Sequence, residues 1–203
     1  EVDWEKSPVV PPLQPGIHIF DDLDVDEIIP FIDWTFFFHA WRLTGNYDGM
    51  DDVLQGTLSE KDWLAGFKKE ESKEKAYEAL KLYRDSRAML EKIKKDKMLV
   101  PRAVIGLFPA NSVGDDIEVY DPKSPDKVLS TFYNIREQQE KPGKKNYYCL
   151  SDFVTSKESG IKDYIGGFAV SAGEGIEKWL KLYEEDEDDY SSILLKSLAD
   201  RLA

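Results

Sequence analysis

Four acidic side chains crowd one short stretch, Asp115, Asp116, Glu118 and Asp121, and carboxylates at that density raise the question of a hard-metal site. On a strand successive side chains alternate between faces, so Asp116 and Glu118 share one face while Asp115 points away. The run also lacks the ligand spacing of a calcium-binding loop. A solvated hairpin face is the expectation. His18 and His39 lie far apart and share no metal-ligand spacing with each other or with Cys149. Gly173-x-Gly175 stands between a strand-like and a helix-like segment. It lacks the third glycine of a dinucleotide loop and the lysine of a phosphate loop, so a plain strand-to-helix turn is expected. No segment has the form of a nucleophile elbow. Cys149, in the apolar run YYCLSDF, reads as a buried packing residue. No catalytic residue and no metal ligand is assigned.

Composition narrows the classes further. The chain has 203 residues, 41% of them hydrophobic and 12% aromatic, enough to build a core. With 27 basic and 40 acidic residues it carries a net charge of −13, which repels phosphate backbones and anionic lipid. Neither nucleic acid nor a membrane is expected as a partner. A single cysteine excludes disulfide frameworks and cysteine-rich zinc sites, and suits a reducing cytoplasm. The N-terminal run EVDWEKSPVVPPLQPG is acidic and proline-rich, unlike a signal or transit peptide.

The elements follow from periodicity. Residues 1–16 read as an extended linker or strap. From Asp24 a short helix is expected to about Ile29, then, past Pro30, a largely buried helix from Ile32 or Asp33 through Leu43, stopped by Gly45. Ser59 and Asp62 form a capping-box pattern opening a long helix over about 59–97. Its apolar residues Ala76, Leu80, Tyr83, Leu90 and Ile93 recur at helical spacing. Strands are expected at 102–110, 115–121, 127–136 and 163–171, the first three close enough to pair antiparallel. A helix through IEKWLKLY, an acidic interruption and a last helix through YSSILLKSLADRLA complete an α+β pattern.

Several segments in this order resemble a known family. IDWTFFFHAW (32–41), PRAVIGLFPANSVGDDIEVY (101–120), REQQEK (136–141), NYYCLSDFV (146–154), SGIKDYIGGFAV (159–170) and DDYSSILLKSLADRLA (188–203) are similar to the activation domain of cobalamin-dependent methionine synthase. The resemblance implies one α+β domain over 17–203, the N-terminal and central part of that module. In the family it is a C-shaped unit with flanking helices around a twisted antiparallel sheet. It also implies a function: binding S-adenosylmethionine and presenting it for reductive remethylation of cob(II)alamin. The implied partners are a cobalamin-binding module, which holds the cobalamin, and a flavoprotein electron donor. Methyl transfer from methyltetrahydrofolate to homocysteine can then resume. In such chemistry the reduced cobalamin is the nucleophile, so the activation domain needs no general base of its own.

By the same resemblance Asp33, opening IDWT, is the aspartate expected to contact the ligand, pairing with its ammonium group. Its position also suits a helix N-cap, and both roles can hold together. Trp34 and Phe36–Phe38 are expected in the core on their helical spacing, and Phe36 replaces a proline seen in some members. Asp200 lies where the family turns toward the cobalamin module, although a solvated helical acid is the simpler expectation. The family's RxAPGYP loop and later tyrosine pair, which supply much of the ligand recognition, have no counterpart in these 203 residues. The last helix also runs to Ala203 without a closing cap. A truncated module that binds S-adenosylmethionine weakly is therefore expected. The alternative is an interaction or scaffold domain that docks a corrinoid or redox partner and has lost the ligand.

Overall fold

Val, Ile, Phe and Tyr recur through residues 100–135 between turn signals, and there the chain builds the strands of an antiparallel meander. The computed structural model describes residues 2–4, 6–140, 142–143, 146–172 and 175–203. It contains two compact units, residues 1–19 with 104–169 and residues 20–103 with 170–203. The α+β class expected from the sequence is what forms.

The first unit carries most of a five-stranded sheet. Its strands are β1 (Gly16–Phe20), β2 (Arg102–Val113), β3 (Asp116–Asp121), β4 (Ser124–Phe132) and β5 (Asp163–Ser171), ordered β1-β2-β3-β4 with β5 also on β2. β2 and β3 are antiparallel, with Ala110 opposite Val119 and Val113 opposite Asp116. β3 and β4 are antiparallel as well, and a register shift around Tyr120 lets Asp121 face Ser124. Ala110, Ile117 and Val119 are buried, whereas almost all of β4 is exposed. β4 stops at Phe132 rather than running to Arg136, because Asn134 turns aside: its amide donates to Asp116 Oδ1 and its side chain to the Phe132 carbonyl. β1 was not anticipated. Its first residue, Gly16, is the last of the run read as a linker or strap; no strand forms among the described residues of 1–15, and Glu1 and Glu5 lie outside the described residues.

Two polar knots fasten the irregular chain that follows β4. Arg136 donates to both oxygens of Asp152 at 2.7 Å, to Asp115 Oδ1 at 2.7 Å and to the Tyr147 carbonyl at 2.7 Å. The Arg136 guanidinium, helped by the Cys149 amide, holds the Asp152 carboxyl down to about 2. A carboxyl depressed in the folded state favours folding above its unfolded pKa and loses that contribution as pH falls through the folded value. The contribution should therefore disappear between about pH 4 and pH 2. Arg136→Ala is expected to lower the melting temperature at neutral pH and to flatten its fall over that acid range; a pH series of thermal melts measures both. The second knot is built on Asn111, whose Nδ2 reaches the Thr155 carbonyl, the Thr155 hydroxyl and the Ile161 carbonyl at 2.8–3.0 Å.

The second unit is helical. Its elements are α1 (Val25–Ile28), α2 (Trp34–Ala40), α3 (Met50–Gln55), α4 (Glu60–Ala65), α5 (Glu70–Asp96), α6 (Ile176–Glu185) and α7 (Asp189–Leu202). α5 is the central helix, and its expected apolar face is buried: Ala76, Leu80, Tyr83, Leu90 and Ile93. α7 packs on it, with Leu194, Leu195 and Leu198 buried. Each fully buried side chain of this size contributes about 1.5–3 kcal/mol.

The long helix expected over 59–97 is two helices. Ser59 caps α4 through the Asp62 amide as expected, but that helix closes at Gly66, and α5 restarts after Lys69. Glycine lowers helix propensity enough for packing to break the run there. α2 likewise ends at Ala40, short of Leu43, as the backbone turns left-handed at Arg42 (φ 61°). The acidic interruption falls where expected: α6 ends at Glu185, and the Asp188 side chain caps α7 through the Ser191 amide. Gly175, at φ 108°, starts α6, consistent with a turn, while Gly173 lies outside the described residues. Among the described residues no helix is long and apolar enough to cross a membrane.

Candidate functional site

Asp33 is an N-cap. Its backbone is extended and its Oδ1 accepts from the Thr35 amide at 2.9 Å and the Phe36 amide at 3.2 Å, satisfying two of the free donors at the start of α2. Oδ2 takes no hydrogen bond from the described residues, and the side chain is exposed. The carboxylate thus has one oxygen committed to the fold and one open. Around it the surface is unusually apolar, with Phe31 85% and Phe36 62% exposed. Phe36 lies one turn along the helix from Asp33, and His39 one turn further, with its ring edge-on to Phe36 at 6.2 Å.

The three phenylalanines therefore divide. Phe37 and Phe38 are buried, as expected, but Phe36 is not, which corrects its placement in the core. Trp34 is half-buried and packs edge-on against Tyr83 at 4.7 Å and Phe37 at 5.3 Å.

Trp34 and Thr35, the two residues after Asp33, line a cleft of about 650 Å³ inside the helical unit. Its other walls come from Phe38, the segment Gly45–Asp52 and Tyr83. Hydrogen bonds hold that segment in place: Trp63 Nε1 donates to the Asp48 carbonyl at 2.8 Å, and the Tyr83 hydroxyl to Asp51 Oδ1 at 2.6 Å. Burial, followed by the neighbouring Asp51 carboxylate, pushes the Tyr83 phenol well above its usual pKa. Tyr83 is therefore a fixed neutral donor, not a base. From the sequence Gly45 reads as a helix stop and nothing is assigned to residues 46–52, whose turn-forming Asn46, Asp48 and Gly49 do not indicate what they face.

Asp200 lies near the end of α7, exposed and paired with Arg201. No hydrogen bond or ion pair among the described residues joins it to Asp33. The acids of the β2–β3 hairpin are dispersed onto separate partners: Asp115 to Arg136, Asp116 to the Asn134 amide, and Glu118 to Lys157 and Tyr120. Among the described residues no group of acidic, histidine or cysteine side chains is placed to hold a metal ion. Cys149 is buried, its thiol directed to the Asp115 carbonyl, and it starts a 3₁₀ turn rather than belonging to a strand. The helical unit offers an open carboxylate among exposed phenyl rings and an acidic, aromatic cleft. Such groups bind and orient a cationic ligand; they do not supply a nucleophile.

The family model for the vitamin B12 dependent methionine synthase activation domain matches residues 24–203. The crystal structure of the MetH reactivation domain bound to AdoHcy is 37% identical, with a TM-score of 0.79 over 100% of this chain and 56% of that chain. This chain thus spans little more than half the length of that relative. Since the family match takes in Asp33, the helical unit and four of the five strands, the chain belongs to the vitamin B12 dependent methionine synthase activation domain family.

Proposed function

We propose that this chain is part of a reactivation module that binds S-adenosylmethionine and presents its methyl group to a cobalamin held by a separate module. The observation that carries the reading is Asp33, whose Oδ1 is used by the helix cap while Oδ2 remains open among exposed phenyl rings. An ammonium group pairing with Oδ2 adds a charge-assisted hydrogen bond without disturbing the cap. The relative's complex with AdoHcy, a thioether of the same ligand class, supports that choice of ligand.

When bound to its own module, cobalamin supplies the nucleophile for methyl transfer. This chain's contribution is positional: Asp33 fixes the ligand's amino end, and the buried Phe37 and Phe38 anchor the helix that Asp33 caps. A flavoprotein electron donor and a cytoplasmic setting belong to the same proposal. So does the orientation of Asp200, which is exposed, toward the cobalamin module. A second reading, docking of a corrinoid or redox partner without a ligand, draws on the exposed Tyr133, Ile135 and Phe168.

The test separates the two duties of Asp33. Asparagine is as good an N-cap as aspartate but cannot pair with an ammonium ion. Asp33→Asn is expected to keep the melting temperature and weaken S-adenosylmethionine binding about tenfold. Asp33→Ala should weaken binding as much and also cost about 1 kcal/mol of stability. Calorimetric titration into the three proteins, carried to millimolar ligand, checks this. Equal affinities throughout would leave Asp33 as a cap alone.

A further inference from the structure

The acidic cleft beside α2 has a use that Asp33 does not explain. Three carboxylates, Asp48, Asp51 and Asp52, stand along one wall, and the rings of Trp34, Phe38 and Tyr83 form much of the rest. No lysine or arginine lines it. Asp51 accepts from the Tyr83 hydroxyl and Asp52 from Thr57, but none of the three is in an ion pair among the described residues. Two cations approach the cleft's tyrosines from outside its lining, Lys75 near Tyr47 and Arg87 near Tyr83. Lys75 pairs with Glu71 at 2.8 Å, and the Arg87 guanidinium lies over the Tyr83 ring at 6.0 Å.

Tyr47 supplies an independent sign. It is only 7% exposed, it lines the cleft, and its hydroxyl has no hydrogen-bond partner among the described residues. That oxygen sits against Gly45, another residue of the cleft wall, 3.0 Å from where a Cβ would stand. A buried hydroxyl without a partner costs free energy; Gly45 covers this one, and a polar group that displaces that cover from the cleft side would relieve it. Tyr47 OH can accept a proton-bearing nitrogen, and carboxylates and aromatic faces favour the same charge. A metal ion is a poorer fit, because no ligand group converges among the described residues.

We infer that this cleft is a binding site for an organic cation bearing a primary ammonium or guanidinium group. The group sits against the aromatic walls, accepted by the Tyr47 hydroxyl and neutralised by Asp48, Asp51 and Asp52. Two sources share that chemistry: a small free amine, or an arginine or lysine side chain offered by a protein.

The experiment is an amide and indole shift titration of the whole chain with agmatine and, separately, with an end-blocked Gly-Arg-Gly peptide. Saturable shifts confined to Asn46–Asp52 and the Trp34 indole are expected. Tighter binding of agmatine supports the free amine, and tighter binding of the peptide supports the side chain. Tyr47→Phe should weaken the better probe about tenfold or more, roughly the worth of one hydrogen bond to a charged group. It should leave the melting temperature unchanged or higher, since the lost hydroxyl had no partner. Asp48→Asn, at a carboxylate with no hydrogen bond or ion pair among the described residues, should weaken it similarly. The inference is overturned if neither probe gives saturable shifts, or if both variants bind as tightly as the parent. Asp33→Asn should leave agmatine binding intact while weakening S-adenosylmethionine, so failure of this site and failure of the proposed function are separable.

Discussion

Phe37→Ala should lower the unfolding free energy by about 3–5 kcal/mol, whereas Phe36→Ala, one residue earlier, should change it by about 0.5 kcal/mol or less. Phe37 is buried beside Trp34, Phe38 and Trp41, with ring distances of 5.3–6.3 Å. Removing its ring opens a cavity that these aromatic neighbours cannot close. Phe36 projects into solvent and touches only the His39 ring among the aromatic residues. For a chain of this size the first substitution should lower the melting temperature by roughly 10 °C. Urea unfolding of the two variants measures the contrast directly. Similar losses in both would mean that α2 presents a different face to the core.

Asn111→Ala is expected to cost about 2–3 kcal/mol and to loosen residues 154–163 ahead of the rest of the sheet. Asn111 has two amide hydrogens and three acceptors within reach, all on the far side of a loop. Thr155, fully buried, is the centre of that loop: its amide donates to Asp163 and its carbonyl accepts from the Ser112 amide. Asn111→Asp should be worse, because a carboxylate would face two carbonyl oxygens. Amide hydrogen exchange over 154–163 is the sensitive readout. Protection unchanged in Asn111→Ala would show that Ser112, which bonds the Val154 carbonyl, pins the loop without it.

Asp33 was legible because its cap is local: an aspartate before a helical run satisfies the amides two and three residues on, and nothing distant decides it. The α5 face was legible for a similar reason, since a long helix repeats its pattern enough times to be read. Three consecutive phenylalanines in a two-turn helix do not. Which one faces outward depends on Trp34, Tyr83 and α7, and no spacing within 36–38 encodes that. β1 escaped because five residues after a proline-rich run carry too little alternation to stand out from a strap. The cleft escaped because Tyr83 lies a helix and a half away in sequence from Gly45–Asp52, so only tertiary packing brings them to one wall. Within GLFPANSVGDDIEVY, the Asn111 and Ser112 bonds to the loop of Thr155 appear only in the fold.

The central claim is that the open side of Asp33 receives S-adenosylmethionine. An amide shift titration with that ligand, followed at Asp33 and Phe36, tests it most directly and remains readable at millimolar affinity. The account predicts saturable shifts at both amides, with the apparent dissociation constant raised about tenfold in Asp33→Asn. Shifts absent at both amides, or identical in Asp33→Asn, would contradict it.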